Sequence, residues 1–174
     1  VHVFHNTILQ PPGTDELIYP IGAGGGLQGR MFNTTTRNNI LNVYSSERKS
    51  ISVGESLAFA DNDFDYDLFN GGLVRAEGQE THGINGEPLY SMGVGFDPAA
   101  GTGIFTLSPD SPGYDAGGRI PNFNDHFQGG APDIGAHEAG NPPMQFGPNA
   151  YSSPPPPDGS VFADVPETHP FHAE

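Results

Sequence analysis

Cysteine is absent from the 174 residues, which excludes a disulfide scaffold, a thiolate zinc site and a cysteine nucleophile. Its absence is compatible with a bacterial exported protein without requiring one. Cations are scarce: six Lys plus Arg stand against 21 Asp plus Glu, for a net charge of −15. So acidic a chain offers no basic face to nucleic acid or to an anionic membrane. Two readings of the acidity stay open, solubility outside the cell and a surface that collects divalent cations. No apolar run approaches the roughly 20 residues of a membrane span, and no apolar periodicity of helical length is found. With 25 Gly and 18 Pro, long helices are not expected. There is no initiator Met and no signal peptide, and the first residues already read as strand, so the chain is expected to begin inside a larger protein.

What the chain does contain is short apolar bursts, among them VHVFHNTIL, NNILNV and FDYDLF. In the first, Val1 and Val3 alternate against His2 with the two-residue period of a half-buried strand. Asn6 interrupts it, at a position where a residue tolerant of left-handed backbone suits a sharp corner. The phrase His5-Asn6-Thr7-Ile8-Leu9 returns as Arg37-Asn38-Asn39-Ile40-Leu41, and 38 − 6 gives a repeat of 32 residues. Between the two, the prolines and the run Gly22-Ala23-Gly24-Gly25-Gly26 read as a surface loop. The run lacks the Gly-Lys-Ser/Thr of a phosphate-binding loop. Asn33-Thr34-Thr35 is formally a glycosylation sequon, read as coincidence. Arg48 and Lys49 form a local cationic spot, read as a solvated turn with a polymer-binding base as the competitor.

Residues 61–71, DNDFDYDLFNG, place acids at every second position. Read as one strand, Phe64, Tyr66 and Leu68 fill one face while Asp61, Asp63, Asp65 and Asp67 line the other. Four carboxylates in a row repel one another unless solvent, a cation or neighbouring donors intervene. They are therefore the candidate metal ligands, and hard oxygen donors at this density point to Ca²⁺. Tyr66 and Gly72 stand where an EF-hand loop needs Gly and Glu, so that motif is excluded. The competing reading is a solvated acidic edge. Residues 72–95 read as a long polar loop, in which Glu77 and Glu80 are a conceivable acid/base pair.

Residues 105–138 carry the most specific pattern: Phe105-x-Leu107, then Ser108-Pro109, Asp115-Ala116-Gly117, and finally Asp133-Ile134-Gly135-Ala136-His137-Glu138. The pattern resembles the terminal segment of bacterial right-handed parallel β-helix proteins, the pectate-lyase-like solenoids. The resemblance implies that residues 1–140 are the terminal coils and cap of such a solenoid. The cap is expected to seal its open end. Asp115 is expected to bond backbone amides, Asp133 and Glu138 to pair with Arg119, and His126 and His137 to make local hydrogen bonds. After Gly140 the composition shifts to a Pro-rich linker, 141–160, whose Pro154-Pro155-Pro156-Pro157 suits a stiff spacer. In 161–174, Phe162-Ala163-Asp164-Val165-Pro166 followed by His169-Pro170-Phe171 resembles the first line of a surface-layer homology module, with His169 and His172 in its packing.

Together these readings imply an all-β chain, a parallel β-helix with long loops and an extended tail. They imply a place outside the cell or on a bacterial surface, with a polysaccharide and the rest of the parent β-helix as partners. The function implied is a non-catalytic scaffold or glycan-binding segment. The alternative is a fragment of a polysaccharide lyase or glycoside hydrolase acting on uronate-rich glycans with the help of calcium. No catalytic residue is assigned, because so few cations leave little to take a proton or stabilise developing charge.

Overall fold

The computed structural model describes residues 1–10, 32–43, 61–71, 78–93, 95–97, 99–100 and 102–142. By its internal contacts the chain divides after Asn141. The Gly22–Gly26 run, Arg48, Lys49, Glu77, the four-proline run and residues 161–174 all lie outside the described residues.

The described residues form strands and turns and no helix, so none among them is long and apolar enough to cross a membrane. The strands are β1 (His2–Phe4), β2 (Thr7–Gln10), β3 (Thr35–Arg37), β4 (Ile40–Val43), β5 (Asp63–Phe64), β6 (Leu68–Phe69), β7 (Ile84–Asn85), β8 (Phe96–Asp97) and β9 (Thr102–Gly103). Two sheets are parallel, ordered β1-β3-β5 and β2-β4-β6-β7. A strand–corner–strand unit is thus laid down three times in the same sense, and β7 adds a fourth level to the second sheet. β8 and β9 pair antiparallel. The all-β class expected from the short apolar bursts is what forms.

One residue in left-handed backbone makes each corner: His5 (φ 51°), Asn38 (φ 58°) and Tyr66 (φ 61°). Asn adopts that conformation readily; His and Tyr do so at a cost of about 1–2 kcal/mol, which side-chain contacts must offset. The residue that follows each supplies the compensation. Asn39 Oδ1 accepts from the backbone N–H and the side-chain amide of Asn6, at 3.0 and 2.9 Å. Asp67 Oδ1 accepts from the same two groups of Asn39, at 2.7 and 2.9 Å. Glu80 Oε2 in turn accepts from the Asp67 N–H at 3.3 Å. A column of amide and carboxyl groups therefore runs through the corners, Asn6–Asn39–Asp67–Glu80, and its last three members are buried.

The register corrects the repeat read from sequence. Ile8 pairs with Leu41 and Thr7 with Ile40, an offset of 41 − 8 = 33 residues rather than 32. The left-handed residue of the first corner is His5, not Asn6, so the phrases align one position later. Side chains alternate along a strand, so that slip exchanges the two faces.

The second sheet is apolar on both faces. Ile40, Leu68 and Ile84 lie in register on one, and Ile8, Leu41 and Phe69 in register on the other. Ile40 and Leu68 pack with Tyr90, Leu107 and Ile134, with Phe105, Tyr114 and Ala116 around them. The terminal segment thus lies along the flank of the second sheet, where Gly135 N–H bonds Asn38 O at 2.7 Å and Ala136 N–H reaches Thr7 Oγ1 at 3.1 Å. The segment reaches back over the first corners, against one apolar face of the second sheet. Gly135 has φ +110° there, and a Cβ on it would stand 2.6 Å from Ile40 Cδ1.

The segment's acids hold it in shape. Asp133 accepts from the N–H groups of Asp115 and Ala139, both at 2.8 Å. Glu138 accepts from those of Asp133 and Gln128, at 2.8 and 2.9 Å. Arg119 bonds Asp125 rather than either of them, so the expected Asp133 and Glu138 pairing with Arg119 does not form. The open edge of the first sheet is closed by Gln79, whose side-chain amide bonds Phe64 N–H at 2.6 Å and Asn62 O at 3.0 Å, as a neighbouring strand would.

Candidate functional site

The four aspartates expected to be metal ligands part company at Tyr66. Its left-handed backbone ends β5 and starts the turn into β6, so no single strand runs through 61–69 and the alternation does not hold. Tyr66 is not in the Phe64–Leu68 row either: its ring lies between His82 and Gly118. Asp61 sits exposed in a turn, and Asp63 pairs with Arg37. Asp65 is bound by Thr81 and His82, and Asp67 is buried in the corner column. Among the described residues no three His, Asp or Glu come together to hold a metal, and Asp63, Asp65 and Asp67 take separate partners. Glu80 closes the corner column, which gives it no access to a substrate. His137 rests edge-on against Phe105 at 6.1 Å, and burial lowers its pKa.

What the fold does assemble is a strip on the outward face of the first sheet. Val3, Thr36 and Phe64 share one face, so His2, Phe4, Thr35, Arg37 and Asp63 share the other. At one end lie aromatic rings: His2 against Phe4 at 5.4 Å, and Phe123 edge-on to Phe4 at 5.7 Å. Phe123 comes from the 119–125 loop and is 60% exposed. Arg37, one strand on, donates to Thr36 O, Asp63 O and the Asp63 carboxylate. At the far end His82 stacks on Tyr66 at 4.6 Å and 12°. Its Nδ1 lies 2.7 Å from Asp65 Oδ2, while its backbone N–H donates to Oδ1 at 2.6 Å. From Phe4 to Asp63 the strip crosses the two inter-strand steps of the first sheet, or about 10 Å.

The acid of that far end is set for ionisation. Burial pushes the Asp65 carboxyl up, but hydrogen bonds from the His82 ring and N–H and from Tyr66 N–H, with the His82 charge, outweigh it and hold the pKa low. An ionised Asp65 accepting from Nδ1 fixes the orientation of the His82 ring, on a side chain 59% exposed. The strip thus offers apolar ring faces, a guanidinium, a 62% exposed carboxylate and an oriented imidazole.

Of these residues the sequence alone points to Asp63 and Asp65 as site candidates. In sequence Phe4, Arg37 and His82 are only members of strands or loops, and nothing marks Phe123. One signal is present: aromatic and charged residues at outward positions of successive short strands. It can be used only once the register is known.

Compared with family models, curated proteins and solved structures, the chain matches none. Fold and site alone define its class here: an all-β, parallel-stranded protein with an aromatic and ionic strip across one sheet.

Proposed function

We propose that this chain carries coils of a right-handed parallel β-helix that hold a carbohydrate chain across the outward face of the first sheet. The parent protein would stand outside the cell or on a bacterial surface, with the Pro-rich stretch as its tether and residues 161–174 at the start of an anchoring module. The observation that carries the reading is the strip from Phe4 and Phe123 through Arg37–Asp63 to Asp65–His82. Ring faces pack against the C–H faces of sugars, and the guanidinium and carboxylates bond their hydroxyls. Their step from strand to strand is close to the advance of successive rings in an extended polysaccharide. The three repeated corners and the amide column support the solenoid part of the reading.

A second reading, a fragment of a polysaccharide lyase or glycoside hydrolase, is favoured by the Asp65–His82 pair, an imidazole oriented by a carboxylate. Affinity electrophoresis of the chain through gels cast with neutral, uronate-rich and amino-sugar polysaccharides separates the possibilities. Retardation by at least one glycan, weakened about three- to tenfold in Phe123→Ala and Arg37→Ala, is expected. Free migration in every gel would refute the binding role. Release of new reducing ends or unsaturated products, lost in His82→Ala, would establish the enzymatic reading.

A further inference from the structure

His5 sits where the first corner, the second corner and two stretches of the terminal segment meet. Its Nδ1 lies 2.9 Å from Gly135 O, and a carbonyl can only accept, so Nδ1 carries the proton. Its Nε2 lies 2.9 Å from Asn38 Nδ2 and 2.8 Å from Asn124 Nδ2. Neither amide can be turned round. Asn38 Oδ1 accepts from Gly118 N–H at 2.7 Å and its Nδ2 donates to Gly118 O at 2.7 Å. Asn124 Oδ1 accepts from Ile120 N–H at 2.7 Å and its Nδ2 donates to Gly118 O at 3.0 Å. Both amides therefore present N–H to Nε2, which must accept and carries no proton. The imidazole is locked in one neutral tautomer, with Phe123 stacked on it at 5.8 Å and 24°.

We infer that His5 is a proton-operated latch: neutral, its Nε2 accepts from Asn38 and Asn124 and holds the 118–124 loop to the first two corners, and protonated, it releases Asn124 while its Nδ1–H keeps Gly135. A proton on Nε2 would meet two amide N–H groups with no acceptor in reach, so the bonds of Asn38 and Asn124 to the ring cannot survive it. The loop then keeps the two bonds of Gly118 to Asn38, and Gly135 keeps its bonds to the His5 Nδ1–H and to Asn38 O. The charged groups around the latch are few. On the terminal segment Asp133, the nearest acid, favours the charged ring, but its carboxylate is already engaged by two N–H groups. In the second unit Arg37 is bound to Asp63, and in the loop Arg119 is bound to Asp125. In the first unit His2 lies against Phe4. Burial outweighs the Gly135 bond and Asp133 and depresses the His5 pKa. A depressed histidine contributes stability above its unfolded pKa of about 6.5, and that stability is lost as pH falls from there to the folded value. The latch does not depend on the strip being a glycan site.

Amide hydrogen exchange of the whole chain, at about pH 7.5 and about pH 5 and corrected for intrinsic rates, reads the latch directly. Gly118, Ile120 and Asn124 are expected to lose at least about tenfold in protection at the lower pH while Asn39, Leu68 and Gly135 keep theirs. In His5→Gln, which cannot take up a proton, the pH-dependent loss is expected to vanish. Should that variant fold poorly, nitrogen NMR of wild-type His5 decides. Nε2 is expected unprotonated at pH 7, and its protonation should coincide with shifts of the Gly118 and Ile120 amides. Uniform loss of protection, none at all, the same loss in His5→Gln, or His5 protonation without those amide shifts would each overturn the latch.

Discussion

Replacing Asp67 by Asn tests the corner column most sharply, because it exchanges an acid for the amide that the two corners before it use. Asp67 is 2% exposed and neighbours the buried Glu80. Burial raises its carboxyl from 3.8 to about 6, against the hydrogen bonds from Asn39 and its neighbours. A group whose folded pKa lies above its unfolded one contributes stability that is complete below the unfolded value. That contribution is lost as pH rises through the folded value. At 1.36 kcal/mol per pKa unit, the loss between about pH 4 and pH 7.5 is about 3 kcal/mol. An asparagine at this position would keep the acceptor for Asn39 and bring a donor toward Glu80, and it has no charge to bury. Asp67→Asn should therefore be about 3 kcal/mol more stable than wild type at pH 7.5, with the advantage nearly gone at pH 4. Urea unfolding of both proteins across that range measures it. A variant less stable than wild type at pH 7.5, or a difference that ignores pH, would refute the idea that Asp67 is ionised at a cost in the folded chain.

Asn39→Ala should cost about 3 kcal/mol in urea unfolding, since it removes the acceptor of two Asn6 N–H groups, the donor to Val3 O and one of the two donors to Asp67. Calcium followed by excess chelator should leave the melting temperature unchanged, because Asp61, Asp63, Asp65 and Asp67 diverge; a rise with calcium that chelator reverses would show that they converge in solution.

The class of fold was legible because nothing in the chain competes with short strands. Apolar bursts of three to five residues between Gly, Pro and Asn can bury little as helices and much as stacked strands. The register was not legible, for a local reason. His5-Asn6 and Asn38-Asn39 each offer two residues able to take the left-handed position, and the sequence contains no term that ranks them. What ranks them is the column of bonds between levels, in which the residue after the corner must aim its side chain along the stack. The parting of the four aspartates was hidden for a related reason. Tyrosine is a poor candidate for left-handed backbone, and only the fit of its ring between His82 and Gly118 holds Tyr66 there.

The placing of the Asp-Ile-Gly-Ala-His-Glu segment follows from a cue that is present in the sequence and easily passed over. Ile40-Leu41-Asn42-Val43 is buried at every position, and Leu68-Phe69 likewise. A strand that is apolar on successive residues cannot leave one face in water, so the second sheet needs a layer on each side. On the Ile40–Leu68 face that layer comes from Tyr90, Leu107 and Ile134. The terminal segment is built for that face: Ile134 is its fully buried apolar side chain, and Gly135 lets its backbone lie against Ile40. Asp133 and Glu138 meanwhile satisfy the N–H groups that a strand partner would otherwise have taken. Asn38, Thr7 and His5 then fasten it at the corners, His5 through the Nδ1–H it donates to Gly135 O.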